Sequence, residues 1–183
     1  MIDIVERVYR NLLVVRCQAG DRAAFGELLG LYQPRLRYFL VNMVGHAAED
    51  LLQDVWFDAY RGLARLADPG AFPSWLYRIA RHRALAELRK KRLPLASLEG
   101  IEVIEEGDDE EFSREEAEQV QAALARLAPC HREVLLLRFF EGLSYEEISQ
   151  VTGSHLGTVR SRIHYAKRAL RRVIQEVTQN ERT

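Results

Sequence analysis

The stretch that decides the fold lies near the carboxyl end of the chain and reads Leu143-Ser-Tyr-Glu-Glu-Ile148. The Ser144 hydroxyl can cap a helix, and the glutamate three residues later can reach back to the backbone N–H of the cap. This helix can run only to about Val151, because Gly153 in the next turn can adopt a positive φ. A second helix is predicted from about Leu156. Two helices joined by a glycine turn indicate a helix-turn-helix, whose second helix enters the major groove of DNA.

The second predicted helix has one apolar face and one cationic face. At about 100° per residue, six apolar side chains form one stripe: Val159, Ile163, Ala166, Leu170, Val173 and Val177. Opposite that stripe or on its shoulders lie Arg160, Ser161, His164, Lys167, Arg168 and Arg171. These side chains can donate to phosphates and base edges, and the capped helix ahead of them favours that function. The alternative is an ordinary amphipathic helix with solvated arginines.

Helical periodicity also dominates the first half of the chain. It runs from Ala23 to Arg92, where β-branched residues rarely alternate with polar ones in the manner of strands. Turn signals at Gly20-Asp21, Gly45-His46 and Asp68-Pro69-Gly70 divide this half into several helices. The sequence therefore predicts an all-α fold.

Charge is segregated along the chain, although the formal net charge is only −1. Residues 93–118 hold 11 acids and a single base, Arg114, and their early part lacks apolar periodicity, as is typical of a solvated linker. The remaining residues comprise 25 bases and 16 acids, a net of +9 that favours a polyanionic partner. We predict two small helical domains, residues 1–92 and 119–183, joined by an acidic linker over residues 93–118.

Composition argues against several other classes of protein. Cys17 and Cys130 match neither a C-x-x-C nor a zinc spacing, so we expect two buried free thiols, with no metal and no cofactor. No apolar run approaches the ~18 residues of a membrane span, and the first residues are too charged for a signal peptide. We expect no membrane insertion and a cytoplasmic location. No Walker loop, H-E-x-x-H motif or Ser-His-Asp set indicates an enzyme.

Five blocks of sequence together resemble extracytoplasmic-function (ECF) sigma factors of bacterial RNA polymerase, in the sigma-70 family. The last domain of that family is similar to Leu143–Ile148 and to Gly157-Thr-Val-Arg-Ser-Arg-Ile163. Its first domain is similar to Asp21-Arg-Ala-Ala-Phe25, Ala48-Glu-Asp-Leu-Leu-Gln-Asp54 and Trp75-Leu-Tyr-Arg-Ile-Ala-Arg81. The blocks occur in the family's order and cover nearly the whole chain.

The resemblance implies a non-catalytic transcription-initiation factor of the kind used in stress responses. Its partners would be core RNA polymerase, through the clamp helices of the largest subunit and the flap, and promoter DNA. The first domain would open the minus-10 element as a single strand, and the second would bind the minus-35 element as duplex. A separate anti-sigma protein is the expected inhibitor.

The predicted helix near Ala48 to Leu63 has an acidic face within an otherwise basic domain. That face carries Asp50, Gln53, Asp54 and Phe57. It would repel DNA but suits a basic protein surface that accepts an aromatic anchor. By resemblance it is the contact with the clamp helices, and the alternative is a merely solvated acidic face.

The predicted helix from Pro73 to about Arg92 carries a cationic strip that can track a single strand. Its candidate strand-binding side chains are Arg78, Arg81, His82 and Arg89. The resemblance implies that the loop from Leu66 to Gly70, including Asp68, captures a flipped base. The family usually has asparagine at the position of His82, and because histidine offers different donors and acceptors, the preferred melted base stays open.

In the second domain, the resemblance places Arg138 at a position that contacts the DNA backbone, and it favours Arg160, Ser161 and His164 for base contacts. Many relatives have arginine at the position of Tyr165, which could contact a thymine methyl group or simply pack.

The runner-up function is a helix-turn-helix regulator that binds its operator without polymerase. Such a regulator would need a sensor pocket, whereas the first 92 residues predict helices with one basic and one acidic face.

Overall fold

The computed structural model describes residues 4–90 and 122–180, and every regular element in these residues is helical. The α-helices among them are α1 (Ile4–Gln18), α2 (Arg22–Val44), α3 (Ala48–Gly62), α4 (Phe72–Lys90), α5 (Pro129–Leu135), α6 (Tyr145–Thr152) and α7 (Leu156–Asn180). Residues 122–126 are also helical, and Leu136–Phe140 form a wider π-helical turn after α5. The predicted all-α class is confirmed.

The turn signals of the first half lie at real helix boundaries. The Asp21 carboxylate caps α2 by accepting from the backbone N–H groups of Ala23 and Ala24, at 2.9 and 3.2 Å. Gly45 ends α2 with a φ of +63°. Between α3 and α4, Asp68 accepts from the backbone N–H of Gly70 at 2.8 Å and begins a 3₁₀ turn. The sequence therefore placed the ends of α2 and the start of α4 correctly.

The helical periodicity of the sequence begins only at Ala23 and does not delimit α1, although the predicted turn at Gly20-Asp21 lies just after the end of this helix. Its apolar residues surround the helix instead of forming one stripe. Leu13 and Val14 are fully buried, whereas Ile4 and Val8 are 69% and 60% exposed. The helix packs along α2 through its buried side, so tertiary contact stabilises an element that has a weak local pattern.

The core of the first domain lies where α2, α3 and α4 meet. Leu36, Phe39 and Val55 are fully buried there, as is Tyr77 from α4. The rings of Phe39 and Tyr77 pack edge to face with centroids 5.4 Å apart. An aromatic pair of this geometry adds about 0.5–1.5 kcal/mol beyond the area that it buries. The core holds the outer faces of α3 and α4 in fixed orientation.

The second domain packs α5 and α6 against the long helix α7. Val159, Ile163, Ala166 and Leu170 of α7 are all buried, as the predicted apolar stripe requires. Val173 is half-buried, and the side chain of Val177 lies outside the described residues. The π-helical turn that follows α5 buries Leu136 and Leu137 in the same core.

The two domains contact one another directly. Helix α4 packs against α6, and α2 packs against α5, so that one buried apolar cluster includes residues of both domains. The predicted linker over residues 93–118, with the domain ends next to it, lies outside the described residues.

Candidate nucleic-acid and polymerase interfaces

The helix-turn-helix is built by the capping box that the sequence predicts. The Ser144 hydroxyl accepts from the backbone N–H of Glu147 at 3.1 Å, and the Glu147 carboxylate accepts from the N–H of Ser144 at 2.8 Å. Helix α6 ends at Thr152, and Gly153 follows in the left-handed conformation with a φ of +66°. Helix α7 then starts at Leu156, as predicted.

The outer face of α7 is cationic. Arg160, Arg168 and Arg171 are exposed, while His164, Tyr165 and Lys167 are half-buried. The His164 and Tyr165 rings meet edge to face at 5.5 Å, and the Lys167 ammonium lies 5.5 Å from the centre of the Phe139 ring. The exposed arginines therefore stand on a helix whose flanks are fixed by aromatic contacts.

The predicted outward placement of Ser161 is wrong. Its side chain is buried, with 5% of the residue exposed, and its hydroxyl donates to the Thr158 carbonyl at 3.1 Å. A small hydroxyl can satisfy its hydrogen bond within its own helix, so it can be buried without a partner from another element. Arg162, beside the apolar stripe, is also buried and lies 3.4 Å from the Ser154 hydroxyl.

Arg138 is half-buried at the entrance to the helix-turn-helix. Its guanidinium lies 5.1 Å from the centre of the Tyr145 ring and donates to the Leu143 carbonyl at 3.2 Å. Both partners flank the capping serine. The contacts seen here hold the start of α6 in place, a role that the sequence analysis did not assign to this arginine.

The acidic face of α3 is open to solvent. Asp50, Gln53 and Asp54 are all exposed, and 59% of Phe57 is accessible beside the guanidinium of Arg61, which lies 5.3 Å from its ring centre. An exposed phenylalanine among carboxylates and an amide has the composition of a protein-binding surface.

Arg83 of α4 is a residue that the sequence analysis missed beside this face. It donates to Asp58 through two nitrogens, at 2.8 and 2.5 Å, and reaches Asp54 at 3.4 Å. The spacing along α4 gave no reason to separate Arg83 from other surface arginines. Through these bonds Arg83 links α4 to α3 at the edge of the acidic face.

The loop between α3 and α4 is fastened at its base. Gln18, the last residue of α1, donates its amide to the carbonyls of Leu63 and Leu66, at 3.1 and 2.7 Å. Leu66 and Gly70 are half-buried, whereas the Asp68 residue between them is exposed and bonded to the loop's own backbone. Gln18 lies 48 residues from Leu66, so no local pattern could have indicated its role.

The cationic side chains of α4 do not all face solvent. Arg78, His82 and Arg89 are exposed. Arg81, which the sequence places with them, turns instead toward the second domain, where its Nε donates to the Glu133 carboxylate at 2.6 Å. The Arg81 side chain is only 20% exposed.

The cysteines and His131 form no recognisable site. Cys17 and Cys130 are free thiols, half-buried where full burial was expected, and burial raises the pKa of both. Burial, and then the charge of Arg162, lowers the pKa of His131. Within residues 4–90 and 122–180, no group of three or more histidine, cysteine or acidic residues could hold a metal ion. None of the helices in those residues is long and apolar enough to cross a membrane.

Two family descriptions match the two domains. Residues 28–93 match Sigma-70 region 2, and residues 117–170 match Sigma-70, region 4. The chain is 37% identical to the RNA polymerase sigma-H factor of Pseudomonas aeruginosa, with 89% of this chain and 92% of that protein covered. It is 32% identical to the ECF RNA polymerase sigma-E factor of Escherichia coli strain K12, with 93% and 96% covered.

Solved structures give the same answer for the fold. CnrH, in complex with the cytosolic domain of CnrY, superposes with a TM-score of 0.68 at 22% identity, over 92% of this chain and 98% of that one. The sigma factor RpoE of Bartonella quintana, in complex with the anti-sigma factor NepR, superposes with a TM-score of 0.62 at 25% identity, over 82% and 96%.

The helical fold, the helix-turn-helix and the two matched regions define a transcription-initiation factor of the sigma-70 family. Within it, the chain belongs to the ECF sigma factors. It is a sigma factor that binds core RNA polymerase and directs promoter-specific transcription initiation.

Proposed function

We propose that the two domains divide the work of initiation. The first domain binds core polymerase through α3 and the melted minus-10 strand through α4, and the second binds the minus-35 duplex through α7. The observation that carries this assignment is the chemical difference between the outward faces: acidic and aromatic on α3, cationic on α4 and α7.

The polymerase-binding residues are Asp50, Gln53, Asp54 and Phe57. Their exposure supports this role, and so does their sign, since carboxylates steer a protein toward a basic partner and away from phosphates. Phe57 supplies the aromatic anchor around which such an interface excludes water. The clamp helices of the polymerase's largest subunit are the surface that we assign to this face, with the flap as the contact of the second domain.

The minus-35 element is bound by the start of α7. A helix-turn-helix presents the amino-terminal turns of its second helix to base edges, and Arg160 is the exposed cation in that part of α7. His164 and Tyr165 follow one turn later, where they border the same groove. Lys167, Arg168 and Arg171 contact phosphates along the later turns. Arg138 acts by fixing the start of α6.

The minus-10 strand is bound by exposed Arg78, His82 and Arg89 of α4, together with Arg81 once that residue is released. The α3–α4 loop, with Leu66, Asp68 and Gly70, receives a flipped base, and Gln18 sets the position of that loop. His82 offers ring nitrogens where the family usually has an asparagine amide, so we propose that it changes which base is preferred.

Regulation and location follow from the relatives. RpoE of Bartonella quintana is seen with an anti-sigma factor, and we propose that an anti-sigma protein also controls this chain. The protein works in the cytoplasm with polymerase and contributes no catalytic residue, because the polymerase performs the chemistry.

The test is reconstitution with purified core polymerase on a promoter library with randomised minus-35 and minus-10 elements. The proposal predicts transcripts that depend on the chain and select a sequence at both elements. The Arg160→Ala variant should relax selection at minus-35 alone, and His82→Ala should alter it at minus-10 alone. Sequence-selective DNA binding without polymerase-dependent transcripts would instead favour an operator-binding regulator.

A further inference from the structure

Helix α1 has apolar side chains on two opposite faces. On the face that packs along α2, Leu13 and Val14 are fully buried. At about 100° per residue, the opposite face is an arc about 100° wide, and no charged residue of α1 falls within it. This arc, which we call the α1 seam, consists of Ile4, Val5, Val8, Leu12 and Val15.

The α1 seam is exposed to solvent along its whole length. The exposed fractions of its residues run from 49% at Val15 to 70% at Val5. Within residues 4–90 and 122–176, twelve large apolar residues are exposed, and six of them are the seam and Tyr9 of the same helix. Single exposed apolar residues are normal on a protein surface, whereas a contiguous apolar patch indicates a binding surface. The seam presents roughly 500 Å², toward the upper end of the about 300–600 Å² that the largest patch on a typical monomer covers.

The spacing within the α1 seam is that of a coiled coil. Intervals of three, four and three residues separate Val5, Val8, Leu12 and Val15. These intervals define the a and d positions of two successive heptads, whose side chains insert between those of a facing helix. The shape that fits the seam is therefore another helix with the same spacing.

The positions beside an a/d seam decide which helices can pair with it. On one side of the α1 seam these positions hold Tyr9 and Arg16, and on the other side they hold Asn11 and Gln18. Only Arg16 is charged, and its guanidinium already binds the Asp21 carboxylate at 2.7 Å. The rims therefore bring no like-charge repulsion against a second copy of the same helix.

A second copy in antiparallel orientation is complementary to the α1 seam. In that arrangement Val8 of each copy faces Leu12 of the other, so that the two central layers each pair a smaller side chain with a larger one. The outer layers pair Val5 of each copy with Val15 of the other. Opposed helix dipoles also favour this orientation. A parallel pair would hold only valine at its d positions, where parallel two-stranded coiled coils prefer leucine.

The area of the α1 seam is sufficient for a weak dimer. Two seams together would bury roughly 1,000 Å², which is about the minimum for a specific interface. An isolated helix of the length of α1, 15 residues, is marginal in water. Here the first domain already holds the helix in place, so pairing does not have to pay for ordering it. A dissociation constant in the micromolar range is the expected result.

We propose that the α1 seam is a self-association surface, on which a second copy of this chain packs its own α1 in antiparallel orientation. The resulting dimer is closed, because each seam covers the other. The seam lies on none of the helices α3, α4 and α7. The proposal is therefore independent of the polymerase and DNA contacts assigned to those helices.

Sedimentation of the full-length protein over about 1–300 μM measures the association. The wild-type chain should pass from monomer to dimer as its concentration rises. Leu12→Glu and Val8→Lys should each weaken the dimer at least about tenfold, because each places a charge in a surface that the dimer buries. Val41→Glu is the matched control, since it adds a charge at an apolar residue of α2 that is 38% exposed. It should dimerise as the wild type does.

An equal mixture of Leu12→Glu and Val8→Lys tests the antiparallel pairing. In the mixed dimer, the carboxylate introduced at Leu12 of one copy lies opposite the ammonium introduced at Val8 of the other. The mixture should therefore dimerise at least about tenfold more tightly than either variant alone. This rescue also shows that the two variants are folded, and circular dichroism checks their helices directly.

The outcomes decide between self-association and other uses of the α1 seam. A wild-type chain that stays monomeric over the whole range, or a Leu12→Glu variant that dimerises as tightly as the wild type, would overturn the proposal. A mixture that stays monomeric would overturn the antiparallel pairing. If the wild type is monomeric and Leu12→Glu instead loses affinity for core polymerase, the seam is a polymerase contact and the proposal is wrong. If Leu12→Glu loses its helices, Val8→Lys compared with Val41→Glu still decides the question.

Discussion

The cationic faces of α7 and α4 carry similar side chains but differ in how far those side chains are exposed. On α7, Arg160, Arg168 and Arg171 are exposed to solvent. On α4, Arg81 is held by a buried carboxylate of the other domain, while Arg78 one turn earlier remains exposed. The arginines of α7 are accessible in the folded chain, whereas the cations of α4 are accessible only in part.

On the proposed assignment, the difference follows from the ligand of each face. Duplex DNA is a rigid ligand, so a helix fixed by a capping box and a left-handed glycine can be complementary to it in advance. A melted strand exists only after the promoter has opened. A surface for that strand therefore has no ligand to match in the free chain.

The largest predicted effect concerns α3. Its acidic face is exposed to solvent like the cationic face of α7, although α3 belongs to the same domain as Arg81. Reversal of Asp50 and Asp54 to lysine should weaken core polymerase binding by about 100-fold or more, because unlike charges across an interface become like charges. A pull-down against core polymerase measures it.

A control with the same change in net charge is Glu146→Lys combined with Glu176→Lys, on the second domain. It should bind core polymerase normally. If the α3 variant keeps wild-type affinity while its circular dichroism is unchanged, the acidic face of α3 is only a solvated surface. Exposure would then not indicate a binding face on α3.

The next effect distinguishes the two ends of the cationic face of α7. Arg160→Ala should cost about 1–3 kcal/mol on the correct minus-35 site and relax its sequence preference. Arg171→Ala should weaken all sequences alike and lower the salt slope by about 0.9. Holoenzyme binding selections at two salt concentrations measure both. An altered consensus from Arg171→Ala alone would mean that α7 lies in the groove the other way round.

A smaller effect tests how the helix-turn-helix that presents α7 is held together. Ser144→Ala removes the cap of α6 and should destabilise the second domain by about 1 kcal/mol, within the usual range of about 0.5–2 kcal/mol. Ser144→Asp, which keeps a capping acceptor, should restore most of that loss. Denaturant unfolding measures the change, and equal stability of Ser144→Ala and the wild type would show that the capping box is not what holds the turn.

The smallest effect is a pH dependence in the second domain. Burial lowers the pKa of His131 below its usual 6.5, so the unfolded chain takes up the proton first. Stability should fall as the pH drops below about 6.5 and level off beneath the lowered pKa. His131→Gln should flatten this step, whereas His155→Gln at an exposed position should leave it. A wild-type stability that rises on acidification over this range would contradict the prediction.

The parts of the fold that could be predicted are those with local causes. The capping box at Ser144, the glycine at 153 and the turn at Gly20-Asp21 each depend on residues within a few positions, and the structure has all three. The apolar stripe of α7 is likewise a repeat within one helix. These patterns fix helix ends and faces before any tertiary contact forms.

The parts that were missed depend on distant partners. Gln18 meets a loop 48 residues away, and Arg81 meets a carboxylate 52 residues away. Nothing near these residues in sequence indicates their partners. Ser161 was misplaced for another reason, since a helical wheel ranks residues by angle and cannot show that a small hydroxyl will be packed inside.

The most direct test compares single arginines on the two cationic faces. Phenylglyoxal modifies accessible guanidiniums, and mass spectrometry of the modified protein gives a rate for each site, first in the free chain and then in the promoter-bound holoenzyme prepared with a minus-35 element alone. We predict that Arg81 reacts much more slowly than Arg78 in the free chain, because Arg81 is held by Glu133. Arg160 should react readily in the free chain and become protected on duplex. An Arg81 that reacts as fast as Arg78 in the free chain would contradict the account.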